Sequence, residues 1–335
     1  MQPCLLYVGT ADGIFVFHFD GGLRLVGRGL EGNAVRGIAI HPQDPATAHI
    51  ACGLHGWGLH YTRDAGQRFE TIGFTDRWVW EAAFHPLHPE VIYVGVEPPM
   101  LFVSTDDGQH FTAFQPIEQL PSRPNWTFFH PPFYAGHIHG LAIHPERPER
   151  IFAGVEHGAL IYSHDGGRTW REALAGHDLH RIVIDPLNPD RILAGAGEGL
   201  FVSHDAGISW HPIDELIGKY VHAICFDPRN PATIYVYVYQ ADGSPLYRSD
   251  DGGQHWQAIG EGLPGARSAD SLRPHPAQPD VVFYGGDVAQ GRSQLFISIN
   301  RGEHWTPLSE ELPKIWRLQT ASQRTATQTT PPPAR

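Results

Sequence analysis

The chain is written in short apolar runs separated by tight polar turns. Gly37-Ile38-Ala39-Ile40 and Ile182-Val183-Ile184 each end at a His-Pro or Asp-Pro pair. A polar turn follows, then a second run, over residues 49–53, 91–95, 151–154, 192–195, 233–237 and 281–285 in successive copies. A third run, such as Leu160-Ile161-Tyr162, leads into another turn. Runs this short, bounded by Gly, Pro and Asp, predict β-strands rather than helices. Four such strands joined by tight turns make the blade of a propeller.

Two markers fix the period. The first pair marker is His41-Pro42, His85-Pro86, His144-Pro145, Asp185-Pro186, Asp227-Pro228 and His275-Pro276. The second reads Ser/Thr-x-Asp-x-Gly-x-x-aromatic. It begins at Thr62, Ser104, Ser163, Ser203, Ser249 and Ser298, and the last copy replaces Asp with Asn300. In each copy the carboxylate can accept turn amides, the glycine supplies a left-handed backbone, and the aromatic anchors the turn on its blade. A single copy is an ordinary turn. Six copies at roughly 40–60 residue spacing are a repeat architecture.

These motifs resemble the Asp-box (bacterial neuraminidase) repeat proteins, a group that includes sialidases, sortilin-type receptors and photosystem II assembly factors. The resemblance runs from Leu5 to about Thr320. It implies an all-β propeller and leaves function open, since the group holds both enzymes and binding scaffolds.

Six complete repeats leave three N-terminal strands, over residues 5–9, 13–19 and 23–27, and one C-terminal strand over 315–320. Together they predict a seventh blade closed by both chain ends, which removes the exposed edges of an open array. The expected organisation is one propeller over residues 1–322, then a disordered Thr/Pro-rich tail over 323–335. One connection is abnormal. Residues 115–136 are an insertion rich in aromatics, Trp126 and Tyr134 among them, of the length expected of a lid or binding loop.

Composition narrows the partners. The net charge is −12 with 24 Lys and Arg, which argues against nucleic acid. No run approaches the ~18 apolar residues of a membrane span. No basic segment leads into a long apolar stretch at the start, so the expected compartment is the cytoplasm. Three scattered cysteines give neither a zinc knuckle nor a disulfide framework. Histidine stands out, with 22 residues.

In a four-stranded meander, the turns after strands one and three share one face. The loops before strand one and after strand two share the other, where the mouth of the axial channel is expected. Five residues before each His/Asp-Pro pair stand Arg36, Trp80, His139, His180, His222 and Asp270. Equivalent positions in successive blades point the same way, so these side chains should converge. Three imidazoles predict a divalent transition-metal site, for zinc or iron. Asp270 or Glu81 is the expected fourth ligand or catalytic base, and His137 a further ligand or proton relay. The loops after strand two bring His55, Trp57, Glu97, Glu156, His157, Glu198 and Asp287 to the same mouth. Arg36 and Arg317 are expected to hold an anion, with Trp80, Glu156, Trp126 and Tyr134 completing the substrate site.

The expected function is therefore a metal-dependent hydrolase or lyase acting on a small anionic molecule. The resemblance adds two alternatives. A sialidase-type glycosidase would use an arginine triad, a tyrosine nucleophile and an acid. Here Arg36 and Arg317 fit, a third arginine and an acidic pair have no clear counterpart, and the group's Arg-Ile-Pro signature is absent. A non-catalytic assembly propeller, with a protein partner, explains the fold and leaves the histidine register without a role.

Overall fold

A computed structural model describes residues 1–129, 131–239, 245–265 and 270–323. The expected tail lies, from residue 324 onward, outside the described residues. The described residues form seven antiparallel sheets of four strands, consecutive in six of them, with a short fifth strand added to the sixth sheet. The closing blade runs Ile315–Ser322, Cys4–Thr10, Gly13–Phe19, Leu23–Gly29, so one strand from the C-terminal side completes three from the N-terminal side. That is the closure expected from the leftover strands. No described helix is long and apolar enough to cross a membrane.

The innermost strands are Val35–Ile40, Trp78–Phe84, Ile138–Ile143, Leu179–Ile184, Tyr220–Phe226, Leu272–Pro274 and Ile315–Ser322. Each packs against the innermost strand of the next blade, and Ile315–Ser322 meets Val35–Ile40 to close the ring. The second strands, such as Ile151–Val155 and Ile192–Ala196, are buried at every residue because a blade covers each face. Their sequences are accordingly continuous apolar runs rather than alternating ones. Outer strands such as Glu70–Gly73 alternate poorly and stay partly exposed.

The turn chemistry explains both markers. In the Asp-box at Ser163, the hydroxyl accepts the Gly167 amide at 2.8 Å and donates to Asp165 Oδ1 at 2.8 Å. Asp165 Oδ1 also accepts the Thr169 amide at 2.9 Å. Gly167 has φ of 86°, which a side chain would strain, and an added Cβ would strike the Phe114 ring. Asn300 works in the sixth copy because its Oδ1 accepts the His304 amide at 3.0 Å in the same way. In the His/Asp-Pro turns, one acceptor caps two amides. His144 Nδ1 takes those of Glu146 and Arg147, and Asp185 Oδ1 takes those of Leu187 and Asn188.

Candidate functional site at the axial mouth

Each of five innermost strands contains a bulge, and in each the extra residue is the one five before the His/Asp-Pro pair. The register shifts between Val35 and Gly37, Val79 and Glu81, Ile138 and Gly140, Leu179 and Arg181, and Val221 and Ala223. The residues freed from the ladder are Arg36, Trp80, His139, His180 and His222. In the closing blade, Gly9 pairs with Arg317 and Thr10 with Ile315, which frees Trp316. A bulge re-aims the side chain that it leaves unpaired. Here it turns one side chain per blade toward the axis.

The three histidines meet. Their ligand atoms all lie within 4.8 Å of one another. His180 Nδ1 is 3.4 Å from His139 Nδ1. The His180 and His222 rings stack with centroids 4.1 Å apart at 18°, and His139 stands across both at 86° and 69°. An imidazole binds a metal in its ring plane, so a stacked pair shares an ion only after one ring turns. His222 Nδ1 is buried without a partner, so that turn breaks no hydrogen bond through it.

Carboxylates stand behind two of the three. Glu156 Oε2 lies 2.6 Å from His139 Nδ1 and 2.7 Å from His137 Nε2, the second contact being off the direction that a hydrogen bond needs. Asp178 Oδ2 accepts from the Tyr220 hydroxyl at 2.6 Å and lies 3.4 Å from His180 Nε2. Against their burial, the neighbouring histidines hold the Glu156 carboxyl well below its usual range and the Asp178 carboxyl likewise low. His180 is raised in return, its burial outweighed by Asp178 and Glu156. His222, buried beside His180 and His139, is pushed well below its ordinary value and stays neutral. Neutral imidazole is the form that ligates.

A cavity of about 260 Å³ opens beside the cluster, lined in part by Arg36, Trp80, Phe128, His139, Glu156 and Trp316. The Arg36 guanidinium lies 3.8 Å from the Trp316 ring centre and 5.2 Å from that of Trp80, and its Nε donates to the Gly53 carbonyl at 3.2 Å. Among the described residues it forms no salt bridge. Burial lowers its pKa to about 9, which leaves it cationic at neutral pH.

Beneath the histidines lies an ion-paired layer. Arg317 bonds to both Glu81 and Asp270, and Arg181 Nη1 lies 3.2 Å from Glu81 and 3.3 Å from Asp270. Arg273 holds both oxygens of Asp270 at 2.8 Å. Asp270 and Arg317 floor the mouth cavity, while Arg181 and Arg273 line a separate cavity of about 510 Å³ at the other end of the axis. The layer divides the channel.

The structure therefore brings together His139, His180, His222, Arg36, Trp80 and Glu156, and it corrects the expectations for Asp270, Glu81, Arg317, Trp126 and Tyr134. Asp270 is held far below the carboxylate range, against its burial, by three arginines, so it is a poor base. Glu81 is committed to Arg317 and Arg181. Arg317 is fully buried and already bound to both carboxylates, so it has no free fork for a substrate anion. Trp126 is buried in the core, its indole N–H donating to Ser122 Oγ at 2.8 Å. Tyr134 is 52% exposed and meets Phe129 rather than the cavity. Phe128 is the residue of the insertion that reaches the cavity. His137 is fully buried, stacked on Trp80 at 3.5 Å, with its pKa pushed down to about 4 by burial.

Sequence reasoning missed Asp178, Arg181, Arg273 and Trp316. A signal existed for Arg181 at the position after the bulge. It reads Gly37, Glu81, Gly140, Arg181, Ala223, Ser271 and Arg317: small residues and three charged ones, as a narrow axis requires.

The family model for sortilin, neurotensin receptor 3, matches residues 198–331, and the BNR/Asp-box repeat model matches residues 161–172. No curated protein matches the chain. Among solved structures, the chain is similar to the GH74 xyloglucanase from Xanthomonas campestris, with a TM-score of 0.71 at 17% identity. That match covers 95% of this chain and 52% of the xyloglucanase, so the chain spans about half its length. It is also similar to YCF48 bound to D1 peptide, with a TM-score of 0.56 at 17% identity over 82% of each chain. The Cps50 (Swd1) β-propeller domain from Myceliophteria thermophila matches with a TM-score of 0.57 at 14% identity, over 85% of this chain and 93% of that one. At such identities these likenesses speak to fold alone. The described residues thus form a seven-bladed β-propeller with six Asp-box turns, and residues 161–172 match the BNR/Asp-box repeat model.

Proposed function

We propose that the axial mouth binds a divalent transition metal, zinc or iron, through His139, His180 and His222, and that the protein is a metal-dependent hydrolase or lyase for a small anionic molecule. One observation carries this reading. Three successive blades aim an imidazole at one point from the same bulge, with ligand atoms within 4.8 Å of one another. Glu156 behind His139 and Asp178 behind His180 are the outer partners that orient metal-binding histidines. The metal would supply Lewis acidity and activate water. Arg36, clasped by two indoles and free of carboxylate partners among the described residues, would hold the anion. Glu156 is the cavity carboxylate not bound to an arginine, and it stays anionic to orient His139. Phe128 would exclude water from one side.

The test is elemental analysis of purified protein with zinc or iron titration. The expected result is near-stoichiometric metal, with His222→Ala weakening binding by at least about a hundredfold and Glu156→Gln by about 10–100-fold. Arg36→Gln should retain the metal. Protein that carries no metal and takes up neither ion would end this reading. A protein partner is the second reading, favoured by Phe129 and Tyr134, which are 88% and 52% exposed near the same mouth. The YCF48 structure, named for its bound D1 peptide, shares the fold. Reproducible co-purification of one protein, lost on Phe129→Ser, would support it. Glycoside hydrolysis by a carboxylate pair wants two free carboxyl groups flanking the bond, and the arginines' hold on Asp270 counts against that form.

A further inference from the structure

A second set of ligating groups adjoins the tri-histidine site. Glu156, His157 and Asp178 come from two neighbouring blades, and their ligand atoms also lie within 4.8 Å of one another. Glu156 and Asp178 are buried, at 8% and 7% exposure, whereas His157 is exposed. Two carboxylates thus share a poorly hydrated place. The groups facing them are imidazoles and a phenol: His137 and His139 against Glu156, and His180 and Tyr220 against Asp178. No arginine or lysine pairs with either carboxylate among the described residues.

The His180 ring stands between the two sets. Its Nδ1 faces His139, and its Nε2, buried without a hydrogen-bond partner, faces Asp178 Oδ2 at 3.4 Å. On the open side, the His157 ring stacks on Phe128 at 5.1 Å and 26°, and the His157 amide donates to Asp178 Oδ1 at 3.2 Å. His157 Nε2 lies 3.9 Å from that same oxygen. A divalent ion between them would match two anionic oxygens and one imidazole, a donor set that suits manganese or zinc.

We propose that Glu156, His157 and Asp178 hold a second divalent cation beside the tri-histidine site, making the mouth a two-metal centre. The two-metal form rests on the metal reading above, whereas the second site stands on its own residues. The adjacency has chemical content: two neighbouring cations can bind one substrate oxygen each, which suits hydrolysis of a phosphoryl or acyl bond.

The experiment is calorimetric titration of Mn²⁺ and of Zn²⁺ into the full chain after chelation, with far-UV circular dichroism to confirm folding. Wild type should take two equivalents of Zn²⁺. His157→Ala removes an exposed side chain and should fold, taking one. His222→Ala should also take one, through the carboxylate set, and should keep its Mn²⁺ affinity. One equivalent in wild type, unaffected by His157→Ala and lost with His222→Ala, would overturn the second site and leave the tri-histidine reading intact. One equivalent lost with His157→Ala and kept with His222→Ala would do the reverse. Uptake of no metal would overturn both.

Discussion

The innermost strand Ile138–Ile143 has a histidine at each end, and the two live under opposite rules. His144, just past the strand on the far face, uses Nδ1 to accept two turn amides at 3.2 and 3.0 Å. His41, His85 and His275 do the same in other blades, and Asp185 and Asp227 do it with a carboxylate oxygen. The work is local, so any side chain with an acceptor at that reach serves. His139, at the mouth, occupies a bulge that six blades share, yet the residue there changes from Arg36 to Trp80 to histidine to Trp316. That work is not local. Each axial position sees different neighbours across the ring, and duplication of the blade cannot keep them alike.

This contrast is broken most forcefully in the ion-paired layer. Arg317 of the closing blade holds Glu81 and Asp270, which come from two other blades. Arg317→Met strips a shared counter-charge from two buried carboxylates and should cost about 3–5 kcal/mol. Equilibrium urea unfolding measures it, and adding Glu81→Gln should recover part of the loss. A cost under about 1 kcal/mol would mean that the axis is as locally organised as the turns.

Titration sharpens the comparison next. Burial pushes Glu97 up to about 8, helped by Glu156, while the Trp80 indole at 2.9 Å and Arg36 pull the other way. The folded chain thus binds this proton more tightly than the unfolded chain does. The stability it confers is complete below about 4.5, declines as pH rises, and is gone above about 8. Glu97→Gln should flatten that decline, gaining of order 2 kcal/mol over wild type at pH 9. The turn histidines His85, His144 and His275 shift downward instead, through burial. Parallel pH profiles for wild type and Glu97→Gln would show that the mouth holds no such proton.

The same split decides what could be read in the chain itself. The far-face turns repeat, so six imperfect copies of one motif disclosed the strands, the blades and the closure by both ends. The register of His139, His180 and His222 was legible because counting back from the His/Asp-Pro pair lands on the bulge. What lay hidden depends on contacts between blades distant in sequence. Asp270 looked available until three arginines from three blades surrounded it, and one of those, Arg273, lies in a strand where a charge gives no periodic signal. Trp126 and Tyr134 share a loop with Phe128, and no local rule tells which of several aromatics faces the cavity. Asp178 precedes His180 by two residues, as His137 precedes His139, yet one blade places an acid there and the other an imidazole.

The finest distinction is between two substitutions at one residue. His144→Ala removes the acceptor for two amides and should cost about 1–2 kcal/mol. His144→Asp restores an acceptor of the kind that Asp185 and Asp227 supply, and it removes an imidazole whose Nε2 is buried without a partner. It should therefore fall within about 0.5 kcal/mol of wild type, with metal binding unchanged. Thermal melts of the two variants beside zinc titration separate the outcomes. The aspartate variant matching the alanine one would show that the ring, not its acceptor, holds the turn. A change in zinc affinity would show that the strand couples its two ends, and the division between local turn and shared axis would then fail along the strand where it is drawn most sharply.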